Sequence, residues 1–116
     1  MNKLTKVNYE VTNGTSHHSL IVQSSLENLL DEFGQPSYVG SGDNKTQLTW
    51  VYYNSPKQVI TIYDSKESLP ITQIKEWHVG SKGLNENEII EFFESYNINL
   101  AKQMIEGFYF YNKKII

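Results

Sequence analysis

Two stretches before residue 24 alternate core-type and polar residues with the period of two that is typical of a half-buried strand. The inward positions are Val7, Tyr9 and Val11 in the first stretch and His18, Leu20 and Val22 in the second. Asn13-Gly14 lies between them, and this dipeptide is the strongest short-range signal for a hairpin turn. The pattern therefore predicts a β-hairpin over residues 6–23.

The spacing of apolar residues becomes helical after Ser24. The apolar positions are Leu26, Leu29, Leu30 and Phe33. Ser24 and Glu27 match a capping box at the start of this segment, whereas Gly34 supplies a left-handed stop and Pro36 prevents the helix from resuming. We expect a helix that begins at Ser24 and ends at Gly34.

Two segments rich in β-branched and aromatic residues, Gln47–Tyr53 and Gln58–Tyr63, predict neighbouring antiparallel strands. Residues 54–57 between them have the composition of a hairpin turn. We also predict a further strand that ends at Gly80.

Asn85 and Glu88 form a second capping box, followed by apolar residues at helical spacing. The spacing predicts a helix that continues or restarts through Leu100 and Ile105 and ends at Gly107. The alternating aromatics from Phe108 onward predict a last strand. Together these elements predict an α+β fold in which a single domain, residues 1–116, holds a mostly antiparallel sheet of about five or six strands with helices packed on one face.

Composition narrows the classes of partner. All ten basic residues are Lys, and thirteen acidic residues give a net charge of −3. A binder of duplex nucleic acid usually has a basic surplus, so we expect no duplex nucleic-acid partner. Without Arg, any anion must be held by Lys, backbone amides and neutral donors. No apolar run exceeds four residues, so no membrane partner is expected and the predicted location is the cytoplasm.

A glycine-rich loop after Pro36 has the composition of an anion-binding nest, because backbone amides, hydroxyls and one ammonium can surround a phosphate. The candidate ligand-binding residues are Gly40, Ser41, Gly42, Asp43, Lys45 and Thr46. Asn44 rather than Gly precedes the Lys and a strand follows, so the loop is not a Walker A motif. The alternative is a plain surface loop whose glycines serve turns.

Three further segments could complete such a site. The additional candidates are Trp50, Tyr63, Asp64, Lys66, Trp77, His78, Ser81 and Lys82. Asp64 and Lys66 come just past a strand end and could meet the glycine-rich loop, or could simply cap a turn and be solvated. Ser81 and Lys82 precede the Asn85 helix, whose positive dipole end favours anions. The aromatic rings could stack on a base, although a lone His is more often structural.

The sequence predicts neither a metal site nor a nucleophile. His17 and His18 are adjacent and therefore point to opposite faces of a strand, and there is no Cys. Neither Gly-x-Ser-x-Gly nor Ser-x-x-Lys occurs. We expect a protein without cofactor, metal or enzymatic activity.

The order of motifs within residues 26–83 resembles a pattern found in a widespread group of small bacteriophage proteins. The motifs are Phe33-Gly34-x-Pro36, Gly40-Ser41-Gly42-Asp43-x-Lys45-Thr46, Trp50, Thr61-Ile62-Tyr63-Asp64-x-Lys66 and Trp77-His78-Val79-Gly80. The usual second Gly after the last motif is Ser81 here. The resemblance implies a phage or prophage origin and expression in the cytoplasm of a bacterial host, where small accessory phage proteins often counter host defences.

The leading hypothesis is a homo-oligomeric counter-defence protein that sequesters a small phosphate-bearing immune signal, of the cyclic nucleotide or cyclic ADP-ribose type, without catalysis. One alternative is a protein-binding inhibitor such as an anti-CRISPR, in which acidic residues over 86–94 imitate nucleic-acid phosphates. Another is a hydrolase of the signal that uses Asp64 and His78 as acid and base.

Overall fold

The structure, a computed structural model, describes residues 4–7, 16–39, 48–55, 57–64 and 70–113. The strands in this part of the chain are β1 (Thr5–Val7), β2 (Ser16–Gln23), β3 (Tyr38–Val39), β4 (Leu48–Ser55), β5 (Gln58–Asp64), β6 (Glu76–Lys82), β7 (Asn99–Met104) and β8 (Gly107–Lys113). The helices are α1 (Leu26–Phe33) and α2 (Glu86–Glu94), with a short 3-10 helix at Ile71–Gln73.

One antiparallel sheet contains all of these strands. Seven of them follow the order β1-β4-β5-β6-β2-β7-β8, and β3 lies off this path. β3 pairs with the Leu48–Thr49 end of β4, beyond the stretch that β1 occupies on the same edge. The predicted antiparallel pair in the middle of the chain is confirmed as β4 and β5, in which Val51 faces Thr61.

Both helices pack on one face of this sheet, which confirms the α+β prediction. Alternate residues of the central strands, among them Val22, Trp50, Ile62 and Val79, form one buried cluster with residues of both helices. The helical members are Leu29 and Phe33 of α1 and Ile89 and Phe93 of α2. The opposite face also buries apolar side chains, since Ile21, Val51 and Ala101 are 2%, 0% and 0% exposed.

The predicted hairpin over residues 6–23 is wrong. β1 lies at one edge of the sheet, and β4, β5 and β6 separate it from β2. β2 instead pairs with β6 on one side and β7 on the other. The Asn13-Gly14 turn signal lies outside the described residues. Leu20, Ile21 and Val22 are consecutive and buried, which suits a central strand covered on both faces rather than a half-exposed hairpin arm.

The second predicted helix is too long. α2 ends at Glu94, and the Leu100–Met104 stretch belongs to β7. Gly107, with φ 130°, begins β8 at the end of the β7–β8 turn instead of terminating a helix. The described residues contribute eight strands to the sheet, more than the five or six predicted.

Helix termini follow the local signals closely. Asn85 and Glu88 form the reciprocal capping box, with both hydrogen bonds present. Ser25, one residue later than predicted, is the N-cap of α1, and Gly34 ends that helix with φ 75°. Neither helix of the described residues is long and apolar enough to cross a membrane.

Candidate functional site

Two of the predicted ligand-binding segments leave the sheet at the same place. The side chain of Asp64, the last residue of β5, accepts a hydrogen bond from the backbone N of Leu48, the first residue of β4, at 2.7 Å. The glycine-rich loop enters the sheet at Leu48, and the segment with Lys66 begins after Asp64. Gly40, Ser41, Gly42, Asp43, Lys45, Thr46 and Lys66 themselves lie outside the described residues.

Tyr63 and His78 form a stacked pair beside this end of the sheet. They face each other across β5 and β6, with ring centroids 5.7 Å apart and an interplanar angle of 24°. Both side chains are half-buried, and burial raises the pKa of the Tyr63 phenol above its ordinary value. The pair lies on the sheet face opposite the helices, because Ile62 and Val79, their neighbours in sequence, belong to the helix-covered cluster. The pair offers an aromatic surface for stacking.

The two tryptophans occupy the core. Both are 0% exposed and meet edge to face with centroids 5.6 Å apart. The Trp50 indole donates to the carbonyl of Gly34 at 2.9 Å, and the Trp77 indole donates to that of Ser24 at 3.0 Å. Neither ring has a free face at the surface, so the predicted stacking role does not fit Trp50 or Trp77.

Ser81 and Lys82 are at the other end of β6 from His78. Lys82 pairs with Val59 near the β4–β5 turn, whereas His78 pairs with Tyr63 at the Asp64 end. A strand rises about 3.3 Å per residue, which places Lys82 about 13 Å beyond His78. Ser81 is also buried, at 2% exposure. Residues 40–47 lie outside the described residues, so the expectation that this turn joins the glycine-rich loop in one pocket stays a prediction.

Asp64 and His78 point to opposite faces of the sheet. Asp64 pairs with Trp77, whose side chain is in the helix-covered core, and His78 is the next residue along β6. The carboxylate is also fully buried and bonded to Leu48. The two groups cannot act as acid and base on one substrate in this arrangement.

A cleft of about 550 Å³, lined by residues of polar type, lies at the same end of the sheet and was missed by sequence reasoning. Its lining residues are Gln23, Ser24, Ser25, Asn28, Lys75, Glu76 and Asn97. Asn28 uses its side-chain amide internally, donating to Ser24 Oγ at 2.7 Å and to the carbonyl of Asn97 at 3.0 Å. The sequence identified the serines at the start of α1 as capping residues, but no local pattern predicted that Lys75 and Asn97 would lie beside them.

A second cleft, of about 820 Å³, lies against the β7–β8 turn. It is lined by Ser19, Phe108 and the 102–107 segment. Ser19 has φ 60° where β2 shifts register against β6. The sequence prediction had placed a helix here and therefore missed the cleft.

The described residues contain no group of three or more His, Cys, Asp or Glu side chains that could hold a metal ion. Comparison of this chain with protein-family models, curated proteins and solved structures finds no match.

Proposed function

We propose that this chain is a non-catalytic counter-defence protein of phage type that binds and sequesters a small phosphate-bearing nucleotide signal. The observation that carries the proposal is the stacked Tyr63–His78 pair next to the strand ends from which the glycine-rich loop and the Lys66 segment depart. The biological setting comes from the motif resemblance to small phage proteins.

In the proposed complex a base lies against the Tyr63–His78 pair. Base–aromatic stacking contributes about 1–3 kcal/mol per base and is tolerant of base identity. The phosphates are held by the backbone amides of the glycine-rich loop, by Lys45 and Lys66, and by the hydroxyls of Ser41 and Thr46. Asp64 acts as a positioning residue, since its hydrogen bond to Leu48 holds together the two strand ends from which these segments depart.

The acidic-mimic alternative has less support. Glu86 forms an ion pair with Lys102 at 3.2 Å, and Glu88 accepts a hydrogen bond from the backbone N of Asn85 as part of the helix cap. These two carboxylates therefore have partners within the fold and do not contribute to one continuous acidic surface.

Titration calorimetry with a panel of cyclic dinucleotides, cyclic trinucleotides and cyclic ADP-ribose isomers tests the proposal. We expect one class to bind, Tyr63→Phe to retain binding because the ring remains, and Tyr63→Leu to weaken it about tenfold or more. Tyr53→Leu is the matched control, since Tyr53 is also half-buried and lies on the same face at the other end of the sheet. Absence of binding across the panel, or equal losses for both Leu variants, contradicts the proposal. Chromatographic recovery of intact ligand excludes hydrolysis.

A further inference from the structure

Thr61 lies on the same face of the sheet as the stacked Tyr63–His78 pair. It comes two residues before Tyr63 on β5, so both side chains point away from the helices. Its partner on β6 is Gly80, two residues beyond His78. A strand rises about 3.3 Å per residue, which places Thr61 about 7 Å from Tyr63 along β5. Thr61 is therefore a direct neighbour of the surface on which the ligand is proposed to stack.

The hydroxyl of Thr61 is buried and has no hydrogen-bond partner. The residue is 1% exposed. In the part of the chain that the structure describes, Thr61 Oγ1 is the only buried side-chain oxygen or nitrogen without a hydrogen bond. Buried polar groups are otherwise bonded, because a hydroxyl that gives up water without a new partner destabilises the fold. The position of this exception, beside the candidate site, points to a use outside the folding of the chain.

The residues around Thr61 explain why the fold supplies no partner. Val51 and Gly80 face it from the neighbouring strands, and Val59 precedes it on the same face of β5. Two of these side chains are aliphatic and glycine has none, so they can neither donate nor accept a hydrogen bond. Valine has the same branched shape as threonine and an equal preference for strands. Packing among these neighbours therefore needs no hydroxyl at position 61.

We propose that the Thr61 hydroxyl is a specificity-determining group that bonds to a polar atom on the edge of the ring stacked against Tyr63 and His78. The inference rests on the proposed function and narrows its ligand to a nucleobase, as opposed to a plain aromatic ring. A hydroxyl can both donate and accept, so it suits the ring nitrogen, carbonyl or amino group of a base. A ligand without such an atom would leave the hydroxyl unpaired and bind less tightly.

The enclosure of Thr61 predicts how the ligand arrives. At 1% exposure the hydroxyl is closed to solvent in the free chain, so the ligand must displace the atoms that cover it before the hydrogen bond forms. Association that requires a conformational change is slower than docking onto an open surface. We expect the observed association rate in stopped-flow measurements to level off as the ligand concentration rises.

Titration calorimetry of Thr61→Val and Thr61→Ser with the same panel of cyclic nucleotides and cyclic ADP-ribose isomers tests the proposal. Thr61→Val should weaken binding about fivefold, because it removes one hydrogen bond to the ligand. Thr61→Ser keeps the hydroxyl and should bind nearly as tightly as the wild type. Thr61→Val should also raise the Tm by a few degrees, since the unpaired group is gone. A variant that is more stable but binds less tightly separates ligand recognition from a structural role.

Thr49→Val is the matched control for the gain in stability. Thr49 faces Tyr63 from β4 and is 2% exposed. Unlike the Thr61 hydroxyl, it is not without a partner. Its valine variant should therefore show no rise in Tm.

Four results would overturn the proposal for Thr61. Thr61→Val could bind as tightly as the wild type, or Thr61→Ser could lose as much affinity as Thr61→Val. A lower Tm in Thr61→Val would mean that the hydroxyl stabilises the folded chain. An association rate that rises linearly to the diffusion limit would mean that nothing has to move.

The failure of this inference is distinguishable from the failure of the proposed function. If Tyr63→Leu weakens binding and Thr61→Val does not, the proposed function stands and the role of Thr61 is refuted. If no member of the panel binds to the wild type, both are refuted together.

Discussion

Glycines with positive φ differ in what surrounds them, and this difference predicts unequal tolerance to alanine. At Gly83, φ is 72° and an added Cβ would lie 1.5 Å from the backbone oxygen of Lys57. At Gly107, φ is 130°, and apart from its chain neighbours no described residue has an atom within 4 Å of the added Cβ. Gly107→Ala therefore adds only backbone strain, about 1–2 kcal/mol, whereas Gly83→Ala adds a backbone clash.

We expect Gly83→Ala to lower the free energy of unfolding by about 3 kcal/mol or more, at least 1 kcal/mol beyond the loss in Gly107→Ala. Urea denaturation of both variants measures the difference. Equal losses would mean that the Lys57 turn moves aside at no cost.

The sequence predicts which residue types cluster along the chain, but it does not say which face they occupy. Trp50 and Trp77 look like stacking rings, yet each indole N–H finds a carbonyl from another element, Gly34 or Ser24. Those bonds join residues 16 and 53 positions apart, a separation that local patterns do not report. Tyr63 and His78 are only half-buried, so these two rings stay candidates for stacking on a ligand.

At the scale of elements, the capping box of α2 makes a measurable contribution to the free energy of unfolding. Asn85 Oδ1 accepts a hydrogen bond from the backbone N of Glu88 at 2.8 Å. Asn85→Ala should lower the free energy of unfolding by about 1 kcal/mol, since it leaves that N–H without its acceptor. Asn87→Ala is the matched control, because Asn87 is an exposed residue inside the same helix, where Ala is the better helix former.

Thermal unfolding distinguishes the two alanine variants. We expect Asn85→Ala to lower the Tm by about 4–8 °C and Asn87→Ala to leave it unchanged or raise it slightly. A similar decrease in both would show that the asparagine side chains act through something other than the cap.

The capping box was predictable because it involves residues three positions apart, whereas β7 was not. Leu100, Ala101, Met104 and Ile105 have a spacing that suits a helix as well as a strand. Their burial decides between the two, since Leu100 and Ala101 are buried while Met104 and Ile105 are exposed. β2 supplies the backbone partners on one side of this strand, and its distance in sequence makes that pairing invisible to a local pattern.

At the scale of the whole molecule, the layer arrangement was predictable and the strand order was not. Apolar periodicity is enough to give an antiparallel sheet with helices on one face. Strand order depends on which strand edges pair, and β2 is flanked by β6 and β7, two strands that come much later in the chain. The same limit applies to the site, because strand order and register decide that His78 stacks on Tyr63 and that Lys82 lies far from both.

An aromatic cluster joins both helices to the sheet, and Tyr52 is its titratable centre. The Tyr52 ring meets Phe33 of α1 at 6.0 Å and Phe92 of α2 at 5.0 Å. Burial, followed by a hydrogen bond and charge interaction with Tyr96, raises the pKa of Tyr52 above its ordinary 10.0. A raised pKa in the folded state means that this contribution to stability is complete below pH 10.0 and is lost as the pH rises above that value.

Tyr52→Phe should therefore flatten the alkaline decline in the free energy of unfolding, at a cost of about 1 kcal/mol near neutral pH for the lost hydrogen bond. Urea denaturation near neutral pH and again above pH 10 measures both effects. Tyr109→Phe, in an exposed ring of β8, is the control and should follow the wild-type decline. Some decline should persist in Tyr52→Phe, because burial also raises the pKa of Tyr63 and of Tyr111. If Tyr52→Phe loses stability with pH as steeply as the wild type, the folded chain accommodates the phenolate, and the cluster is not the alkali-sensitive contact between helices and sheet.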